Sequence, residues 1–329
     1  MRVEKPFLTV VVPCYNEEEV LSESVTQLTN IIEKLVMSES ISDKSQIMFV
    51  DDGSKDRTWE LIQQYSKSNE HVSGLKLSRN YGHQGALLAG LTEAHAYSDC
   101  VVSIDADLQD DVNAIIEFIE KYHEGYDVVY GVRDKRDTDT YFKRNSALAF
   151  YRIMSKLGVN MVPNHADYRL LSKRALTEFL RYKEENMFIR GIVPLLGFKS
   201  TKVFYNRNER FAGESKYPLK KMVLFAVDGI TSFSVAPIRL LLVLGSVIFM
   251  IGVVMGIYAI VQKIIGAVVP GWTSLIVSLW LIGGIQLIGI GVLGEYIGKI
   301  FKQVKERPRF TIEENVFETK CKENKISER

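Results

Sequence analysis

The chain has 329 residues, enough for about two domains, and 47% of them are hydrophobic, so a sizeable core is available. Forty-one Lys and Arg against 40 Asp and Glu leave a net charge of +1, which excludes a global basic field and with it nucleic acid as the main partner. Charged residues at 25% and aromatics at 10% exclude a disordered chain. Cys14, Cys100 and Cys321 are far apart and lack CxxC or Cys/His spacing, which argues against a disulfide scaffold or a zinc site.

In chain order, the N-terminus carries no apolar stretch of signal-peptide form. Short apolar, β-rich runs follow at Phe7–Val12, Gln46–Val50, Val72–Leu77, Cys100–Ile104 and Asp127–Tyr130. Helical patterns at 17–36, 56–68, 84–97 and 111–123 separate them. This alternation predicts repeated βαβ units around a mostly parallel sheet, an α/β class. Asp56 is expected to start one helix, and Asp110-Asp111 to place negative charge on the first turn of another.

Two uncharged runs, Leu240–Val261 and Trp272–Leu293, each contain 22 residues. As helices they measure about 33 Å, against a hydrocarbon core of about 30 Å. Both are long enough to cross a bilayer. Lys216, Lys220, Lys221 and Arg239 precede them, Lys299, Lys302, Lys305, Arg307 and Arg309 follow, and the connection holds only Lys263. The positive-inside rule then places both termini in the cytoplasm. The segment from Lys216 to Phe233 mixes lysines with apolar residues near helical spacing and reads as an interfacial helix; 138–158 is a second such segment. The expected organisation is a cytoplasmic α/β domain at 1–215, an interfacial helix at 216–234, two transmembrane helices at 235–298 and a charged cytoplasmic tail at 299–329.

Ligands of open α/β sheets bind beyond the carboxyl ends of the strands. Three such ends carry acids: Glu17 after the first strand, Asp51-Asp52 after the second, and Asp105, Asp107 and Asp110 after the fourth. Clustered carboxylates repel one another unless a cation sits among them. Asp105 and Asp107, two positions apart, suit a hard divalent cation, Mg²⁺ or Mn²⁺, that retains water and binds a pyrophosphate. Gly289-Ile-Gly291-Val-Leu-Gly294 formally fits a dinucleotide fingerprint but lies inside an apolar run with no preceding strand, so helix packing is the better reading. The histidines share no metal-ligand spacing.

Val-Pro-Cys-Tyr-Asn-Glu at 12–17, Val-Asp-Asp-Gly-Ser at 50–54, Ser-Arg-Asn-Tyr-Gly-His-Gln at 78–84 and Asp-Ala-Asp-Leu-Gln-Asp at 105–110 resemble family 2 glycosyltransferases of GT-A fold. The polyprenyl-phosphate group, which includes bactoprenol glucosyltransferases and dolichyl-phosphate mannose synthases, is the nearest in pattern. The resemblance implies nucleotide contacts at Pro13, Tyr15, Glu17 and Asp51, with Asp52 holding the turn. It implies a metal and diphosphate site at Asp105, Asp107 and Gln109, and an acid at the reacting centre, Asp167. Arg133 and Arg144 match positions near the lipid phosphate, and Arg210 and Lys216 a loop near the diphosphate. Tyr168 and Asp111-Val112 depart from the family's usual loops.

The implied activity is inverting transfer of one sugar from a nucleotide-sugar to polyprenyl phosphate at the cytoplasmic face of the cell membrane, for modification of a cell-envelope glycan. UDP-glucose is the first choice of donor, with UDP-GlcNAc or GDP-mannose as alternatives, and the family suggests a homotetramer. An inactive scaffold and a processive polysaccharide synthase are the competing readings. Two spans make a poor conduit for a polymer, and no QxxRW motif is present.

Overall fold

A computed structural model of the chain describes residues 4–133, 165–184, 188–206, 236–265 and 271–326. These fall into two compact units. The first begins with β1 (Leu8–Cys14), α1 (Leu21–Met37), β2 (Gln46–Asp51), α2 (Thr58–Ser68), β3 (Val72–Leu77), α3 (His83–His95), β4 (Cys100–Ser103), α4 (Ala114–His123) and β5 (Val128–Arg133). It continues with β6 (His165–Ser172), α5 (Lys173–Leu180), α6 (Ile189–Leu195) and β7 (Ser200–Tyr205). The second unit holds α7 (Ala236–Ile265) and α8 (Trp272–Val304); β8 (Ile312–Asn315) and α9 (Val316–Ile326) then belong to the first again.

The eight strands form one sheet in the order β7-β5-β6-β4-β1-β2-β3-β8. Strands β1, β2, β3 and β4 run parallel, as do β5 and β7, whereas β6 and β8 are antiparallel to their neighbours. Every residue of β1, β2 and β4 is buried, as expected of strands covered on both faces. Val10 and Val12 point into the core shared with Leu28 and Ile32 of α1 and Phe118 of α4. Val11 points the opposite way, toward α3. There Gly90 permits close approach: a Cβ at that position would lie 2.4 Å from Val11 Cγ1 and 2.9 Å from Val50 Cγ2.

Several element starts differ from the sequence expectation. α1 begins at Leu21 rather than near 17, because Asn16 takes a positive φ of 54° and the Glu17 amide donates to Thr58 Oγ1 at 2.9 Å. Arg57, not Asp56, occupies the cap of α2; Asp56 Oδ1 accepts from the Thr58 amide and hydroxyl instead. α4 starts at Ala114, which leaves Asp110 outside the helix.

The segment expected as a charged tail is partly built into the sheet. β8 pairs with β3, and Phe317 and Cys321 of α9 are buried. In the second unit, α7 and α8 have 30 and 33 residues, about 45 and 50 Å of helix. Ile282–Val304 of α8 is long and apolar enough to cross a membrane, and Val243–Met255 of α7 is a shorter apolar run. Many of their apolar side chains are exposed, Met250, Ile264, Leu279 and Val304 among them.

Candidate active site

The register brings the acids together. Cys14 pairs with Asp51 and Val11 with Ser103, so the ends of β1, β2 and β4 share one sheet edge. β6 runs antiparallel to β4, with Ser103 opposite Arg169, so the beginning of β6 lies at that same edge. Asp167 thereby reaches Asp105 from 62 positions along the chain, and Ser103 Oγ donates to the Asp167 carbonyl.

Two loops clasp each other beyond the ends of β1 and β2. Asn16 Oδ1 accepts from the Lys55 amide at 2.9 Å, and Ser54 Oγ accepts from the Asn16 amide at 3.0 Å. Pro13 is buried and Tyr15 exposed, with Glu17 between those extremes. Asp51 is fully buried: Oδ1 accepts from the Ser54 amide at 3.1 Å, while Oδ2 is sealed from solvent without a hydrogen-bond donor. Burial pushes its carboxyl up. Asp52 holds the turn: its two oxygens accept from the Tyr81 and Gly82 amides at 2.7 and 2.9 Å. Gly53 allows that contact, since its φ is +67° and a Cβ would lie 2.6 Å from the Arg79 carbonyl carbon.

After β4, Asp105 keeps about a third of its side chain exposed (34%), yet its Oδ1 is sealed and has no hydrogen-bond donor. Burial, opposed by His83 and reinforced by Asp167, Asp110 and Asp107, raises its carboxyl to about 6. Asp107 Oδ1 accepts from the Gln109 amide at 3.2 Å, closing a tight turn in which Leu108 has a φ of 54°. Among the described residues, no three His, Cys, Asp or Glu side chains are grouped so as to hold a metal.

Asp167 is 4% exposed and surrounded by donors. Arg190 Nε and Nη2 reach its two oxygens at 3.2 and 2.9 Å, Gln84 Nε2 lies at 3.3 Å, and Arg169 Nη2 donates to Oδ1. Burial alone would push this carboxyl up; Arg190, with His83 and Arg169, holds it well below the usual carboxylate range. His83 opens α3 with Nε2 3.5 Å from both Asp105 Oδ1 and Asp167 Oδ2. Burial lowers its proton affinity, but the two carboxylates outweigh burial and raise it.

Arg133 lies at the end of β5, where Nε and Nη2 donate to Asp110 Oδ1 at 3.2 and 3.0 Å. Arg144, Arg210, Lys216 and both expected interfacial helices lie outside the described residues. The sequence reading missed Arg190. Its one legible signal is that it is the only charge in Met187-Phe-Ile-Arg-Gly-Ile-Val-Pro-Leu-Leu196, and a lone cation in an apolar run must find a buried anion or reach solvent.

The family Glycosyl transferase family 2 matches residues 9–180, and the GtrB C-terminal hairpin matches residues 236–300. The chain belongs to glycosyltransferase family 2. It is 57% identical to the uncharacterized glycosyltransferase YkoT of Bacillus subtilis (strain 168), over 96% of this chain and 94% of the relative. It is 39% identical to the prophage bactoprenol glucosyl transferase homolog of Escherichia coli (strain K12), over 93% and 98% of the two chains. With the bactoprenol glucosyl transferase of Shigella phage SfII the identity is 38%, over 94% and 98%. The α/β sheet, its acidic edge and the buried Asp167 are thus the frame of a GT-A-like glycosyltransferase.

Proposed function

We propose that this glycosyltransferase moves one sugar from a nucleotide-sugar, UDP-glucose first among donors, to a polyprenyl phosphate at the membrane surface, with inversion at the anomeric carbon. The observation that carries the donor half is Asp105: a carboxylate at a strand end whose sealed oxygen makes no hydrogen bond, with His83 Nε2 3.5 Å away, is suited to a cation. The acceptor half draws on the likeness, over more than nine-tenths of the chain, to proteins named bactoprenol glucosyl transferases.

Asp105, Asp107 and Gln109 would hold Mg²⁺ or Mn²⁺ through oxygen ligands, the chemistry hard cations prefer. With two carboxylates rather than three, water and the donor diphosphate are left to complete the shell. When bound, the ion supplies charge neutralisation for the departing diphosphate. Pro13, Tyr15, Glu17 and Asp51 are assigned to the nucleotide. Arg210 and Lys216 are assigned to the diphosphate, and Arg144 to the acceptor side.

A lipid phosphate is already anionic at neutral pH and attacks without surrendering a proton. Asp167, held as an anion by two arginines, is correspondingly assigned to orientation: it fixes His83 and Arg190 beside the reacting centre. The membrane-long apolar stretch Ile282–Val304 of α8 and the uncharged sequence run Leu240–Val261, with basic residues ahead of one and behind the other, support a membrane hairpin with both ends in the cytoplasm.

The test is a donor panel of UDP-glucose, UDP-GlcNAc and GDP-mannose with undecaprenyl phosphate, reading released nucleotide and lipid product with and without Mn²⁺. One sugar per lipid and strict dependence on the ion are expected; a polymer, or retained anomeric configuration, overturns the reading. Asp107→Ala is expected to abolish ion-dependent transfer in a protein that still folds and fractionates with membranes.

A further inference from the structure

We infer that Asp110, Arg133 and Tyr205 form a clamp that fixes the Asp105–Asp110 loop, which makes Arg133 a positioning residue for the donor site. The inference rests on the donor reading above.

Asp110 is 2% exposed, and a single oxygen, Oδ1, receives Arg133 Nε, Arg133 Nη2 and the Tyr205 hydroxyl at 3.2, 3.0 and 2.7 Å. Arg133 and Tyr205 are register partners at the ends of the parallel strands β5 and β7, so their side chains leave the same face of the sheet and converge on one point. The next residue is tied as well: the Tyr168 hydroxyl donates to the Asp111 carbonyl at 2.9 Å, and the Tyr168 and Tyr205 rings stack edge to face at 5.3 Å. At the other end of the loop the Ala106 carbonyl accepts from Ser24 Oγ at 2.8 Å. Between these ties lies Leu108 with its left-handed φ, a conformation disfavoured in a branched residue unless its surroundings impose it.

Charge explains why the third acid is treated differently. Asp105, Asp107 and Asp110 lie within six residues, and like charges that close repel one another. Arg133 neutralises Asp110, which leaves the other two acids for a cation. A guanidinium with two N–H groups on a buried carboxylate is a fixed part of the loop's support. A residue that met only the acceptor phosphate would leave nucleotide binding unchanged when no acceptor is present.

The experiment uses full-length protein in detergent without lipid acceptor. It measures UDP binding with Mn²⁺, and hydrogen exchange of the 105–111 amides in ligand-free protein. Asp110→Asn and Arg133→Gln are each expected to weaken UDP binding by about tenfold, the loss of a charge-assisted hydrogen bond, and to speed exchange of the loop. The double variant is expected to be no worse than either single one, and Arg133→Lys to recover part of the affinity. Tyr205→Phe, which removes one donor and keeps the ion pair, gives a smaller shift and serves if Asp110→Asn does not fold. Wild-type UDP affinity and unchanged loop exchange in Arg133→Gln overturn the clamp. Failure of the wild-type protein to bind UDP with Mn²⁺ overturns the donor reading instead, and the exchange data still decide the clamp.

Discussion

Asp167 and Asp105 are neighbours at one sheet edge with opposite electrostatics, and the difference is one of donors. Asp167 has Arg190, Arg169, Gln84 and His83 around it, whereas Asp105 has a sealed oxygen and a His83 nitrogen at 3.5 Å. A depressed carboxyl stabilises the fold above its ordinary value of 3.8, and that contribution is lost only as pH falls through the depressed folded value. Arg190→Gln removes two charge-assisted bonds, each worth about 1.5–3 kcal/mol in general. The Asp167 carboxyl then returns toward the ordinary range, so the variant lacks that contribution already at neutral pH and loses less stability on acidification than the wild type. On the orienting role proposed for Asp167, kcat/KM is expected to fall at least about tenfold. Melting curves from pH 7 to 3 and a pH–kcat/KM profile check both; superimposable profiles would remove Arg190 from any part in holding Asp167. Asp105 and Asp107 were readable as two acids at the end of an apolar strand. The place of Asp167 came from motif resemblance, because periodicity does not announce a strand that runs against its neighbours. Arg190 was not legible, since nothing local says which anion a lone arginine will find.

Among the elements, β1 to β5 and the four helices between them were readable because each strand is a short apolar run buried on both faces. β8 was not. Its sequence, Ile-Glu-Glu-Asn, has almost no apolar signal, and its stability comes from partners far away. Glu314 accepts from Trp59 Nε1 and Gln63 Nε2, Lys76 pairs with Glu313 and Glu314, and Asn315 donates to Glu93. Charged edge strands of this kind also protect a sheet from pairing with other chains. The fit of α3 on β1 and β2 gives a sharper test. Gly90→Ala gains about 1 kcal/mol of helix propensity, but its Cβ collides with Val11 and Val50, and overpacking of that order costs about 1–3 kcal/mol. A net loss of about 1 kcal/mol is expected, read as a lower urea midpoint at unchanged slope. A higher midpoint would mean that the sheet gives way at no cost.

For the whole molecule, the chain order of the two units is the decisive fact. The last stretch of the first unit, Pro308–Arg329, follows α7 and α8 of the second along the chain. Cutting the chain ahead of α7 to obtain a soluble catalytic piece therefore also removes β8 and α9. β3 would become a bare edge, and the sites that Phe317 and Cys321 fill would open. Loss of a buried phenylalanine alone costs about 3–5 kcal/mol, a large share of the about 5–15 kcal/mol that holds a typical domain together. Residues 1–235 alone are therefore expected to aggregate or to melt well below the full chain in detergent. Supplying residues 308–329 through a flexible linker in place of the hairpin is expected to restore much of the melting temperature. Phe317→Ala in the linked form should forfeit most of that gain. Equal melting temperatures for 1–235 and the linked form would show that β8 and α9 merely rest on the sheet, whereas recovery dependent on Phe317 would show that the last strand and helix are part of the catalytic fold.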